Sequence, residues 1–337
     1  MLYDSKEQAN DLTTYAQDPR ARVGFGFPSI DERVLRNGGM APGDVAMLIG
    51  RSEVGKTQFL TNVLHNMVMQ GVSVLDVSLE MSTPQKVMRM ACVAYELDSR
   101  TLETGLKDGW PKAFDWLDQY EEDFKHYGVY KPTDTEGAGF DDIDIALGEF
   151  EARTGSPARV VALDFLGLMK REQYSGQEVV RIPRLAAEAE RWADAREVSL
   201  ILLHQTGRQN EVDPTKRNHG ATPLDMTDAM YGGEANMDYV FGLYRPAKAP
   251  PPQDVDSEEY QEWEAMVFEL RNRMFLQVLK SRHSARTPEM QYPGYALESS
   301  WPSGRLVELN PTTNVTQLVP RLQQGAAAYS VPAKDAE

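Results

Sequence analysis

Cysteine is almost absent from this chain of 337 residues. Cys92 is the only one, which excludes an internal disulfide and any four-cysteine zinc site and fits a reducing compartment. The five histidines are scattered and give no metal-ligand spacing. No apolar run approaches the ~20 residues needed to cross a bilayer. The opening Met1-Leu2-Tyr3-Asp4-Ser5-Lys6-Glu7-Gln8 has neither the basic start nor the apolar core of a signal peptide. A soluble, cytoplasmic protein with no membrane partner is therefore expected. Positive charge is also short, with 35 Lys and Arg against 51 Asp and Glu and a formal net charge of −16. Proteins that hold nucleic acid by bulk electrostatics are usually basic, so any such contact here must be local.

What is present is a core and an alternating pattern. Hydrophobic residues make up 41% of the chain, enough for one large domain or two small ones. From Val23 onward apolar strands alternate with helices: strands at 45–49, 72–78, 160–164 and 200–204, helices at 57–70, 84–96 and 185–196. This order predicts an α/β fold, a mostly parallel central sheet with helices on both faces. A helical, acidic stretch from Ser99 to Gly155 interrupts it, with one more strand near Val129–Tyr130 and a helix over 140–154. Tyr239–Tyr244 reads as a strand, and Phe275–Leu279 and Leu306–Leu309 as late ones. The proline-rich Pro246–Pro252 and the acidic run Asp254, Asp256, Glu258, Glu259, Glu262 and Glu264 read as a loop or solvated insertion. Residues 1–22 read as an amino-terminal arm with a short helix near 2–16, residues 23–310 as the catalytic domain, and 311–337 as a disordered tail.

The chemistry begins at Gly50-Arg51-Ser52-Glu53-Val54-Gly55-Lys56-Thr57, a complete G-x-x-x-x-G-K-[ST] phosphate loop. The apolar Val45-Ala46-Met47-Leu48-Ile49 leads into it, and Phe59, Leu60, Val63, Leu64 and Met67 follow at helical spacing. Strand, loop and helix together are the context that a nucleotide site requires. The glycines turn backbone N–H groups inward, and the helix start adds partial positive charge. Lys56 then supplies a full charge for ATP phosphates, and Thr57 a hydroxyl for Mg²⁺. Asp164 ends the apolar run Val160-Val161-Ala162-Leu163 and is placed to complete the Mg²⁺ shell opposite Thr57. Glu80, just past Val74–Ser78, lies at the carboxyl edge of a parallel strand, where a general base for the attacking water belongs. Gln205, after Leu200–His204, can hydrogen-bond both γ-phosphate and water. Lys280 and Arg282 close another strand as a cationic pair able to reach a neighbouring subunit's phosphates.

Taken in order, these segments resemble the carboxyl-terminal motor domain of DnaB-type replicative helicases, within the RecA-like ATPases. Gly24-Phe25-Gly26-Phe27-Pro28-Ser29-Ile30-Asp31 resembles the family's entry segment. Ser78-Leu79-Glu80-Met81-Ser82 with Met88-Arg89 resembles its second motif, and Leu163–Met169 its metal-binding strand. Pro223–Arg245, ending in Tyr244-Arg245, parallels a further family segment, and Lys280-Ser281-Arg282 fits a Lys-x-Arg finger. The likeness spans roughly Val23 to Leu309; the family's helical amino-terminal domain has no counterpart in it. Gly167 stands where the family usually has Gln, and His204-Gln205-Thr206-Gly207 where Ser-Gln-Leu-Asn is commoner.

The resemblance implies an ATP hydrolase using Mg²⁺, with Glu80 as base, Gln205 as sensor, and Lys280 and Arg282 acting in trans. It further implies a homo-oligomer, a hexameric ring moving 5′ to 3′ on single-stranded DNA, and contact with a primase or a helicase loader. In this group two loops line a central channel, here about 169–183 and 207–225. Lys170, Arg171 and Arg181 in the first, and Arg208, Lys216 and Arg217 in the second, are the implied DNA contacts. At the level of residues three readings stay open: a DNA motor, a RecA-like recombination or repair ATPase, and a nucleotide-switched assembly or regulatory protein that moves no DNA.

Overall fold

Val45–Gly50 is buried along its whole length, as are Val74–Ser78, Val160–Asp164 and Tyr239–Tyr244, so these strands must be covered on both faces. In the computed structural model, which describes residues 4–17, 22–133, 137–170, 177–206, 220–229, 232–282 and 294–309, they form the centre of one sheet. The strands are β1 (Val45–Gly50), β2 (Val74–Ser78), β3 (Tyr127–Tyr130), β4 (Val160–Asp164), β5 (Ser199–Gln205), β6 (Tyr239–Tyr244), β7 (Arg273–Ser281), β8 (Tyr295–Ser300) and β9 (Arg305–Glu308). Their order is β3-β2-β4-β5-β1-β6-β7-β8-β9. From β3 to β6 all pairs are parallel, and β7 to β9 are antiparallel. The expected α/β fold with a mostly parallel sheet is what forms.

Alternate residues of β1 feed two different cores. Ala46 and Leu48 pack with Phe25, Phe59, Leu64 and Phe241, while Val45, Met47 and Ile49 pack with Ile182, Leu185 and Ala189 on the other face. The helices that cover these faces are α3 (Lys56–Met69), α4 (Thr83–Tyr95), α7 (Phe140–Thr154) and α8 (Glu178–Arg196). Outside them lie α1 (Ser5–Gln17), an exposed helix in the arm, α2 (Pro28–Arg33), the pair α5 (Ser99–Lys107) and α6 (Pro111–Asp123), and α9 (Glu258–Leu270). The acidic excursion is thus α5 and α6 folded on α4 around Ala91, Leu102 and Ala113, with β3 rejoining the main sheet at its edge.

Two expectations need correction, and one strand has no counterpart among them. The acidic run after Pro252 is a loop only in its first part: from Glu258 onward it is α9, a largely exposed helix. Ser257 caps that helix by accepting the Tyr260 N–H, and Glu258 and Glu259 sit in its first turn, where carboxylates favour the helix dipole. Trp263 Nε1 donates to the Ala249 carbonyl at 2.8 Å and ties α9 to the proline-rich segment. Helix α8 begins at Glu178, about two turns ahead of the expected start, with Pro183 inside it. The early turns hold because Val180 and Arg181 donate their N–H groups to the Gln177 carbonyl and Arg181 is buried beneath them. Strand β8 is absent from the sequence pattern, because only its first half, Tyr295–Leu297, is buried.

Candidate functional site

The connections that leave β1 and the adjacent β5 go to opposite sides of the sheet, to β2 and to β6, so the carboxyl end of β1 lies where an open α/β sheet forms its ligand crevice. The phosphate loop occupies that point. Gly50 admits no side chain, because a Cβ there would stand 2.9 Å from Val54 Cγ1 and 3.0 Å from the Leu243 carbonyl oxygen. Gly55 adopts φ +109°, a conformation that L side chains rarely take, immediately before α3. Val54 and Arg51 are buried, while Ser52 and Glu53 face outward. Lys56 Nζ donates to the carbonyls of Gly50 at 2.7 Å and Arg51 at 2.9 Å, across the mouth of the loop. Burial lowers the Lys56 pKa to about 8, against the opposing pull of Asp164 and Glu80. Both carboxylates are therefore close enough to be felt at the lysine.

Thr57 Oγ1 donates to Asp164 Oδ2 at 3.3 Å, so the hydroxyl and the strand-end carboxylate meet as the sequence suggested. Hard oxygens of this kind, next to a loop built for phosphates, suit Mg²⁺, which keeps water and substrate oxygens in its shell. Glu80 is exposed in the turn between β2 and α4. Three contacts fix that turn: Leu79 N–H to the Asp164 carbonyl at 2.9 Å, Lys131 Nζ to the Leu79 carbonyl at 2.8 Å, and Ser78 Oγ to the Met81 carbonyl at 2.7 Å. Gln85 then accepts from the Ser82 N–H at 2.9 Å and starts α4. Gln205 lies opposite Gly50 in the β1–β5 register, at the same edge. Glu80, Asp164 and Gln205 thus gather around Gly50–Thr57.

Lys280 and Arg282 do not. In the antiparallel β6–β7 pair, Phe275 faces Tyr244 and Ser281 faces Tyr239, so the cations lie beside the start of β6 while the phosphate loop lies beyond its end. The length of β6 separates them, roughly 15–20 Å at strand rise. Lys280 Nζ donates to the carbonyls of Glu234 at 3.1 Å and Ala235 at 2.7 Å, and Arg282 Nη1 lies 3.1 Å from both Glu190 and Asp238 carboxylates.

Of the implied DNA contacts, Arg181 is 2% exposed. Its guanidinium is spent on Glu178 at 2.8 Å, the Gly167 carbonyl at 2.8 Å and the Met169 carbonyl at 3.3 Å. This corrects its assignment as a channel cation: it is a brace between α8 and the segment after β4. Lys170 is partly exposed and pairs with Asp142 at 3.0 Å. Arg171, Arg208, Lys216 and Arg217 lie outside the described residues, as does the tail from 311.

Sequence reasoning missed a buried group behind Asp164. Lys86 Nζ, on α4, lies 3.1 Å from Asp76 Oδ1 and 3.2 Å from Asp164 Oδ2, with every side chain at most 3% exposed. Burial acts to lower the Lys86 pKa, but the two carboxylates outweigh it and the net shift is upward. Tyr127 Oη donates to Asp76 Oδ2 at 2.8 Å; burial, then Asp76, raises its pKa well above the usual value. The available signal was Asp76 itself, a carboxylate in the middle of an otherwise apolar strand.

The family model described as DnaB-like helicase C terminal domain matches residues 23–286. The replicative DNA helicase DnaB of Geobacillus stearothermophilus is 29% identical over 229 residues, 65% of this chain and 46% of the relative. The replicative DNA helicase DnaC of Bacillus subtilis matches to the same extent. The chain spans about half the length of these curated relatives. Among solved structures, one described as an ATPase domain superposes with a TM-score of 0.70 at 18% identity, over 92% of this chain and 100% of that one. A DnaB-like replicative helicase, described with its interactions with primase, gives 0.66 at 18% identity over 92% and 68%. These two share the RecA-like fold; the family match covers most of the chain, and the protein belongs to the DnaB-like helicase C-terminal domain family.

Proposed function

We propose that this domain is the ATP-hydrolysing motor of a DnaB-type helicase, which moves on single-stranded DNA by hydrolysis at subunit interfaces. The observation that carries the reading is the polarity of the sheet. The phosphate loop, Glu80, Asp164 and Gln205 share one edge, while Lys280 and Arg282 stand at the other, out of reach of their own site. A pair out of reach of its own subunit's phosphates supports a role at a neighbouring subunit's site.

In this reading Lys56 and the N–H groups of the phosphate loop hold the β- and γ-phosphates. Thr57 and Asp164 would hold Mg²⁺, which when bound would supply positive charge against that of the phosphates. Glu80 accepts the proton of the attacking water, and Gln205 orients that water against the γ-phosphate. Arg282 and Lys280 of the adjacent subunit stabilise the charge that develops on the transferred group. Lys170, with Arg171, Arg208, Lys216 and Arg217, supplies backbone contacts to DNA; repeated around a hexamer, a few cations per subunit suffice within an acidic exterior. Movement is 5′ to 3′, and a primase or loader is the accessory partner, as befits the family.

Strand separation on a forked duplex tests this, scored with ATP and with a non-hydrolysable analogue. Unwinding with ATP alone is expected. ATP hydrolysis that DNA does not change, with no unwinding, would instead assign the domain to nucleotide-switched regulation, the reading that the net charge of −16 favours.

A further inference from the structure

One carboxylate, Asp76, and one ammonium, Lys86, are packed behind the metal-shell carboxylate Asp164, and the hydrolytic scheme above uses neither. Asp76, Lys86 and Asp164 come from β2, α4 and β4, so three elements converge on the cluster. Lys86 bridges the two aspartates at 3.1 and 3.2 Å, and Tyr127 on β3 secures the far aspartate at 2.8 Å. Asp164 Oδ2, the oxygen that meets Lys86, is also the one that accepts from Thr57 Oγ1. A chain of contacts therefore runs from the sheet edge to the start of the phosphate-loop helix: Tyr127, Asp76, Lys86, Asp164, Thr57.

We propose that Lys86 is a positioning residue for Asp164, holding its carboxylate in the orientation that receives Mg²⁺, with Asp76 as the counter-charge that makes a buried lysine tolerable there. The proposal rests on the ATPase reading. Its logic is electrostatic as well as geometric. A lysine alone beside Asp164 would cancel the charge that attracts a cation. Asp76 restores it, because two carboxylates and one ammonium leave one net negative charge. Groups that orient a metal ligand from behind matter strongly, their loss costing about 10- to 100-fold in metal affinity.

The experiment measures the Mg²⁺ concentration needed for half-maximal binding of a fluorescent ATP analogue, alongside binding of the same analogue in EDTA and urea unfolding. In the double variant Asp76→Leu/Lys86→Met the net charge of the cluster stays the same, and buried ion pairs replaced by apolar residues are often tolerated. Positioning predicts about a tenfold higher Mg²⁺ requirement with EDTA binding unchanged. Lys86→Met alone makes the cluster more negative. Simple electrostatics would then lower the Mg²⁺ requirement, whereas loss of positioning raises it. An unchanged requirement in the folded double variant, or a lowered one in Lys86→Met, overturns the proposal. Wild-type protein that binds the analogue equally with and without Mg²⁺ would sink the metal-site reading itself, and the proposal with it.

Discussion

Arg181 illustrates how little a residue's type reveals about its role. In the sequence it is one more cation in a segment implied to touch DNA; in the fold it is a buried brace on Glu178, Gly167 and Met169. Arg181→Met leaves the buried side of that brace without its donor, while Glu178, a third exposed, can turn to water, so the free energy of unfolding is expected to fall by about 1–3 kcal/mol. Urea denaturation checks this. Affinity for single-stranded DNA should keep its dependence on salt, because no phosphate contact is lost; a slope reduced by about 0.7 would return Arg181 to the DNA surface. Lys56 lies at the other extreme, since its place follows directly from the motif. Lys56→Ala should retain the fold and abolish nucleotide-dependent turnover, and hydrolysis at the wild-type rate would refute the phosphate-loop assignment.

At the level of elements, the hairpin of β8 and β9 clamps α3 just beyond the phosphate loop. Gln58 Nε2 donates to Ser299 Oγ at 2.8 Å and the Gly304 carbonyl at 3.0 Å; Asn62 Oδ1 accepts from Leu306 N–H at 2.8 Å; Arg305 Nη1 lies 2.7 Å from His65 Nδ1. A guanidinium only donates, so the histidine ring is neutral. Burial, and then the Arg305 charge, push the His65 pKa down to about 4, opposed by Asn66 and Asp123. In the unfolded chain the ring titrates near 6.5. The stability it contributes is therefore complete above that value and is lost as pH falls from 6.5 towards 4. Between neutrality and mildly acid solution the loss should be about 2 kcal/mol, seen by denaturation at both conditions and much reduced in His65→Gln. The same clamp explains what the sequence hid. Gln58, Asn62 and His65 recur at helical spacing as a polar stripe that reads as a solvated face, and β8 is too polar in its second half to announce itself. Strands β1, β2, β4, β5 and β6, buried on both faces, were legible because an apolar run has few other uses. Helix α9 was not, because acidic residues look alike in a loop and in the first turn of a helix.

For the whole molecule, the sheet gives the domain two unlike edges, and the proposed mechanism needs one of each at every interface. The carboxyl edge bears the loop, Glu80, Asp164 and Gln205; the opposite side, next to Tyr239, bears Lys280 and Arg282. The sequence placed both groups at strand ends, but which ends lie together depends on strand order and direction, which only the fold supplies. Contacts that join unlike surfaces are head-to-tail, and such contacts close into rings or continue as filaments. In either assembly, Glu80→Ala and Arg282→Ala should each abolish hydrolysis, one by removing the base and the other by removing the neighbour's cation. Arg282→Ala also removes contacts to Glu190 and Asp238, so unfolding by urea must first show that the variant is folded. When the two are mixed in equal amounts and allowed to co-assemble, about a quarter of the interfaces pair an intact Glu80 with an intact Arg282, as random head-to-tail assembly dictates. Recovery of hydrolysis towards that fraction is expected. Co-assembly verified by differently tagged subunits, with no recovery, would mean that Arg282 serves no neighbouring site and that its pairing with Glu190 and Asp238 is its whole role.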